Sequence, residues 1–182
     1  IELNNFNNVF LFAGIFPNDC VMNENTQNKL INYLENGENI YIEGGDIWTN
    51  LNQSELLYQF NIKIKDDGTN DLFQVDGLNG TITENIQIDY NGINNWIDQI
   101  HAISPAYPSL INSEENYILT VFNSYQNSNT IASSFEISGI DNYIDRLNLI
   151  QIYLNFLSNG NEPSWLKGDL NQDNFVNIID II

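Results

Sequence analysis

The residues best suited to chemistry stand near the end of the chain. From Asp169 to Asp180 oxygen-bearing side chains recur at positions 1, 3, 5, 9 and 12 of a twelve-residue stretch: Asp169, Asn171, Asp173, Asn177 and Asp180. Ca²⁺ takes about six to eight hard oxygen ligands, and alternate residues of a tight loop turn theirs inward. Phe175, at position 7, would contribute its backbone carbonyl. Asn174 stands where such loops usually carry Gly, and Asn is the next most tolerant residue of a positive φ. Asp180 closes the loop with a shorter arm than Glu. The spacing predicts a calcium site, with calcium as the cofactor.

A second set of polar and aromatic residues lies earlier. Glu43 and Asp46 follow an apolar run at which a strand should end, and Trp48 is close by. Asn94, Asn95, Trp96, Asp98 and His101 form another cluster. Open α/β sheets place ligands at the carboxyl ends of their strands, so Glu43, Asp46, Trp48, Trp96, Asp98 and His101 are the candidate ligand-binding residues. A Trp beside amides and carboxylates suits contact with a sugar or a peptide. It suits a structural role equally: buried Asp satisfies backbone N–H groups and Trp fills the lid over a sheet end. Nucleophilic catalysis has little to work with. The one Cys, Cys20, and the one His, His101, are far apart in sequence, and a thiolate needs a close His or helix N-terminus. Ser133 and Ser134 sit inside a strand pattern, not in a Gly-flanked elbow. Gly44-Gly45 lacks the rest of a phosphate loop.

Composition narrows the partners. The chain has 182 residues, 24 of them Asp or Glu and 5 Lys or Arg, for a formal charge of −19. Such a surface repels phosphate and excludes a nucleic-acid partner. No apolar run approaches the roughly 18 residues of a membrane span. With 10 Phe, 9 Tyr and 3 Trp the chain carries ample core material. Asn richness, acidity and cysteine avoidance predict a bacterial secreted or surface protein. Ile1 and the apolar Ile181-Ile182 give the impression of a piece cut from a longer protein.

The elements that must position these residues are legible as patterns. Val9 to Ile15 is a continuous apolar run, and so is the stretch around Ile40-Tyr41-Ile42; both predict strands buried on two faces. Leu30, Ile31 and Leu34 mark a helix between them, closed by Asn36-Gly37. Ser54 should cap a short helix. Short alternating runs between Leu72 and Tyr90 predict edge strands. Tyr117–Phe122 and Thr130–Ile137 predict a hairpin, and Tyr143 to Leu157 an amphipathic helix. The order predicts an α/β fold, a three-layer sandwich with a mostly parallel, flavodoxin-like sheet whose first strand and helix precede Val9. The domain division is 1–158 for this body, 159–166 for a linker and 167–182 for a partial calcium loop-helix module.

Two resemblances go with these residues. The calcium loop, of the EF-hand kind but preceded by Lys167-Gly168 and not by a helix, resembles the first repeat of a dockerin module. That resemblance implies a cohesin-like or cell-surface partner, although Ile178 and Ile179 replace the usual hydroxyl residues. Tyr33 to Asp46, with its helix end, Gly turn, apolar strand and Gly pair, resembles the class I glutamine amidotransferase-like superfamily and its ThuA-like branch. The superfamily's Cys at the strand-to-helix turn is absent. The combined expectation is a non-catalytic accessory module beside neighbouring domains of a large secreted protein, a peptidase or glycoside hydrolase. A carbohydrate- or peptide-binding module using Trp48 and Trp96, and an active hydrolase, are the alternatives.

Overall fold

The computed structural model describes residues 2–17 and 21–160. Nine strands within them join one sheet. They are β1 (Asn8–Phe12), β2 (Asn39–Glu43), β3 (Ile62–Asp66), β4 (Gln74–Gly77), β5 (Gln87–Asp89), β6 (Gln99–Ala102), β7 (Tyr107–Asn112), β8 (Tyr117–Tyr125) and β9 (Ser128–Ser133). Four α-helices accompany them among the described residues: α1 (Glu24–Glu35), α2 (Ile47–Asn50), α3 (Glu55–Gln59) and α4 (Tyr143–Asn159).

The sheet runs β1-β2-β9-β8-β7-β4-β5, with β3 and β6 branching from β8. Among the described strands only β1, β2 and β9 are mutually parallel, in the register Val9 to Ile40 and Ile40 to Thr130. Their other pairings are antiparallel. This corrects the expected parallel three-layer, flavodoxin-like sandwich: the fold is a mixed, mostly antiparallel half-barrel with few helices. The reason is connectivity. Parallel neighbours need a crossover of a dozen or more residues, usually a helix, and α1 supplies one between β1 and β2. Between β3 and β9 the connections are turns and short loops, so the strands fold back on themselves. The alternating runs between Leu72 and Tyr90 form β4 and β5 of the main sheet, and β3, β6 and β7 go beyond the sequence expectation.

Local capping fixes the helix ends, Ser54 among the caps as expected. The Asn23 side chain accepts from Thr26 N at 3.0 Å and caps α1; that of Ser54 accepts from Leu56 N at 3.1 Å and caps α3. Asn142 does the same for α4 through Ile144 N at 2.9 Å. Gly160 ends α4 in the left-handed conformation, φ 56°, its N–H returning to the Phe156 carbonyl.

Two apolar layers hold the sheet. On one face Tyr41, Phe122 and Tyr107 pack with Tyr153 and Phe156 of α4, ring centroids 4.6 to 6.4 Å apart. On the other, Ile40, Ile42 and Trp48 pack with Leu30, Tyr33 and Leu34 of α1 and Leu56 of α3. Parallel strands buried on both faces explain why Ile40, Tyr41 and Ile42 are all apolar and wholly buried. Among the described residues no helix is long and apolar enough to cross a membrane.

Candidate ligand cleft

The carboxyl ends of β1, β2 and β9 meet three loops, and the polar residues gather there. Glu43 is the last residue of β2 and only 4 % exposed. It accepts from the Tyr41 hydroxyl and, at 3.0 Å, from Ile137 N. Burial pushes its pKa up to about 7; those two donors pull the other way, and the Glu136 charge adds to the rise. Asp98 is fully buried and accepts from Thr49 N at 2.8 Å and from the Thr49 hydroxyl. Burial lifts it to about 6, against those bonds and with a contribution from Asp46. Both carboxyls therefore hold backbone in place, as buried carboxyls must when no cation is near.

Asp46 is different: it borders open space. It accepts from Phe16 N at 3.3 Å and from the Asn94 amide at 3.4 Å, tying the loop after β1 to the loop before β6. Gly45 permits this approach, since a Cβ there would lie 2.5 Å from Asn94 Nδ2. Between the two loops lies a cleft of about 470 Å³, bordered by Asp46, Asn70, Asn94 and Asn95 and by the apolar Phe16, Ile93 and Trp96. Phe16 is 72 %, Ile93 91 % and Trp96 52 % exposed. The Trp96 backbone is fixed by a bridge to Asn70 and by the side-chain oxygen of Asn94, which accepts from Trp96 N at 3.0 Å.

Of the six sequence candidates, the structure places Asp46 and Trp96 on the cleft and Glu43 and Asp98 in the closed interior behind it. Trp48 is wholly buried. Its indole N–H donates to the Ser133 carbonyl at 2.9 Å, and its ring packs edge-on to Phe60. His101 lies in β6, opposite Lys63 of β3. Partial burial, then Lys63 and Lys65, lower its pKa. Sequence reasoning missed Phe16, Asn70 and Ile93. It also missed Glu136, which the run from Thr130 to Ile137 places inside a strand. Glu136 instead lies beyond the end of β9 at Ser133, an extended residue just before the 3-10 helix Ile137–Gly139. Residue types alone point to Asp46, Asn94, Asn95 and Trp96, and the Gly pair after β2 marks the close backbone approach beside them.

Cys20 lies outside the described residues, as do the linker from 161 onward and the calcium loop with Asp169, Asn171, Asp173, Phe175, Asn177 and Asp180. Among the described residues no group of three or more His, Cys, Asp or Glu is arranged to hold a metal ion.

No family model matches the chain, and no curated protein matches it. Several solved structures share its fold, among them these two. The mmIFT52 N-terminal domain superposes with a TM-score of 0.61 at 16 % identity, covering 88 % of this chain and 81 % of its own. Cytoplasmic protein STM3548 from Salmonella typhimurium superposes with a TM-score of 0.55 at 14 % identity, covering 84 % and 73 %. At such identities the likeness concerns the fold alone. Neither neighbour is an amidotransferase-like, ThuA-like or dockerin protein by description, so both resemblances are corrected. The physical reason is plain for the first: the Gly turn and apolar strand that carried it are common to any buried parallel strand. The secreted or surface location expected from composition finds no support in these neighbours, one of which is described as a cytoplasmic protein.

Proposed function

We propose that this chain is a non-catalytic module of a larger protein or assembly, and that its cleft takes up a peptide segment of a partner. The observation that carries this reading is the half-exposed Trp96. It stands with exposed Phe16 and Ile93 beside the amides of Asn70, Asn94 and Asn95. Aromatic rings with polar neighbours favour contacts that are apolar on one side and wet on the other. Asn side chains offer both a donor and an acceptor, the pair that an extended peptide backbone presents. Ile93, an aliphatic side chain left almost entirely in water, matches a side-chain pocket better than a sugar face. The carboxyls of Glu43 and Asp98 are engaged with backbone donors inside the fold, which supports a binding role over a hydrolytic one. The mmIFT52 structure is, by its description, one domain of a longer protein, which agrees with a modular part.

A peptide array and a glycan array, each probed with the wild type and with Trp96→Ala, test the reading. Peptide signals that vanish in the variant are expected. Glycan binding that depends on Trp96 would replace it with the carbohydrate reading, and signals indifferent to Trp96 would overturn both.

A further inference from the structure

We infer that Tyr90, buried behind the cleft, is the positioning residue that sets Trp96 for its ligand, acting through Asn94. What is bound rests on the peptide reading; the positioning rests on three observations of the fold.

The first is the hydroxyl. Tyr90 directly follows β5, is 1 % exposed and does not border the cleft, so it touches no ligand there. A buried phenol oxygen needs a partner. Burial first, and then the Glu136 charge, raise its pKa, so the hydroxyl keeps its proton at neutral pH. It donates that proton to the Asn94 carbonyl at 3.0 Å.

The second is the way the cleft loop lies on the ring. Tyr90 N donates to the Phe73 carbonyl at 2.8 Å, and Tyr90 forms an antiparallel bridge with Ile140. Asn91 N then donates to the Gly139 carbonyl at 2.8 Å. A Cβ at Gly92 would stand 2.1 Å from the Tyr90 hydroxyl oxygen, and one at Gly139 would stand 2.4 Å from Cε2 of the ring. Only glycine lets backbone come so close. The ring also meets Phe135 edge-on, centroids 5.9 Å apart. The segment from Asn91 to Asn94 is thus shaped against one fixed aromatic side chain.

The third is Asn94, where the contacts converge. Its carbonyl accepts from Tyr90. Its side-chain oxygen accepts from Trp96 N at 3.0 Å, and its amide donates to Asp46 at 3.4 Å. The backbone of Trp96 and the Asp46 wall therefore hang on one residue, and that residue hangs on one hydroxyl. Phe at position 90 would fill the same space and leave the Asn94 carbonyl without this donor. The hydroxyl serves position, and the ring serves packing.

Tyr90→Phe removes the hydroxyl alone and keeps the ring, so the variant should fold. The ¹⁵N-labelled full chain gives three indole N–H resonances, from Trp48, Trp96 and Trp165, and the one missing in Trp96→Ala identifies Trp96. In Tyr90→Phe the Trp96 resonance should shift or broaden, while that of Trp48, bonded to the Ser133 carbonyl, should stay in place. Affinity for peptides that the array shows to need Trp96 should fall about tenfold, the scale of one lost hydrogen bond. Asn94→Ala should lose at least as much, and adding Tyr90→Phe to it should cost nothing further, since both changes cut one chain of contacts. An unchanged Trp96 resonance in Tyr90→Phe overturns the inference. So does a common movement of the Trp48 and Trp96 resonances, which marks general loosening, and so do losses that add in the double variant. If peptides bind through Trp96 with the same affinity in Tyr90→Phe, the positioning role fails while the peptide reading survives. If no peptide engages Trp96, the peptide reading fails, and the resonances of the free chain still decide the role of Tyr90.

Discussion

At the scale of single residues, Glu43 makes the sharpest prediction. Its pKa rises on folding from an ordinary 4.5 to about 7. The native state thus holds a proton that the unfolded chain has released between those values. Its contribution to stability is complete below about pH 4.5 and is lost as pH rises through about 7. The full shift corresponds to about 3 kcal/mol as an upper figure. Glu43→Gln keeps an acceptor for Tyr41 and Ile137 N, so urea denaturation should show the variant more stable than wild type at pH 8. At pH 4.5 the two should be nearly equal; a difference that does not change with pH would refute the assignment. The two tryptophans part company in the same way. Trp48→Ala removes a wholly buried ring and a hydrogen bond and should cost about 3–5 kcal/mol by the same denaturation. Trp96→Ala, on the cleft, should change stability by no more than about 0.5 kcal/mol. Composition could nominate both rings equally. Only the fold separates them, because burial is set by what packs from elsewhere in the chain.

At the scale of elements, what was legible is what local physics writes. Continuous apolar runs marked β1 and β2, helical spacing marked α1 and α4, and a polar turn between two runs marked the β8–β9 hairpin. Strand β3 was legible in principle, since Lys63 and Lys65 alternate with apolar Ile62 and Ile64 as a half-buried strand requires; β7 is obscured by Pro108, which interrupts it at a register shift. Which strands neighbour which is not written locally, and the parallel sandwich was the wrong inference from correct pieces. The β4 end shows how tightly such pairings fit. Gly77 bonds to Ile86 across the turn, and a Cβ there would sit 1.6 Å from the Thr83 carbonyl oxygen. The Thr83 hydroxyl is itself anchored to the Ser109 carbonyl at 2.6 Å. Gly77→Ala should therefore cost more than about 2 kcal/mol, measured by thermal unfolding. A substitution of Asn142 to Ala, which removes the cap of α4, should cost about 1 kcal/mol in the same measurement.

At the scale of the whole molecule, a charge of −19 acts on every carboxyl at once. Self-repulsion opposes the compact state and is screened by salt. The melting temperature at pH 7.5 should rise when sodium chloride is raised from low to physiological concentration and above; a flat response would mean the surface charges are too far apart to matter. The candidate cleft was half legible in the sequence for the same reason of scale. Asp46, Asn94 and Trp96 could be named from their types, but Phe16 and Asn70 join them only because segments far apart in the chain meet beyond the carboxyl end of β2. The pairing of Ile40 with Thr130 spans half the molecule. A strand that must wait for a partner so far along the chain closes a large loop before any contact rewards it. Folding should accordingly be slow for a domain this small. The emerging polypeptide can pair Tyr41 and Ile42 with β1 but must leave their other edge open until the β8–β9 hairpin has been made, so the late hairpin, and not the early strands, sets the moment at which the cleft comes into being.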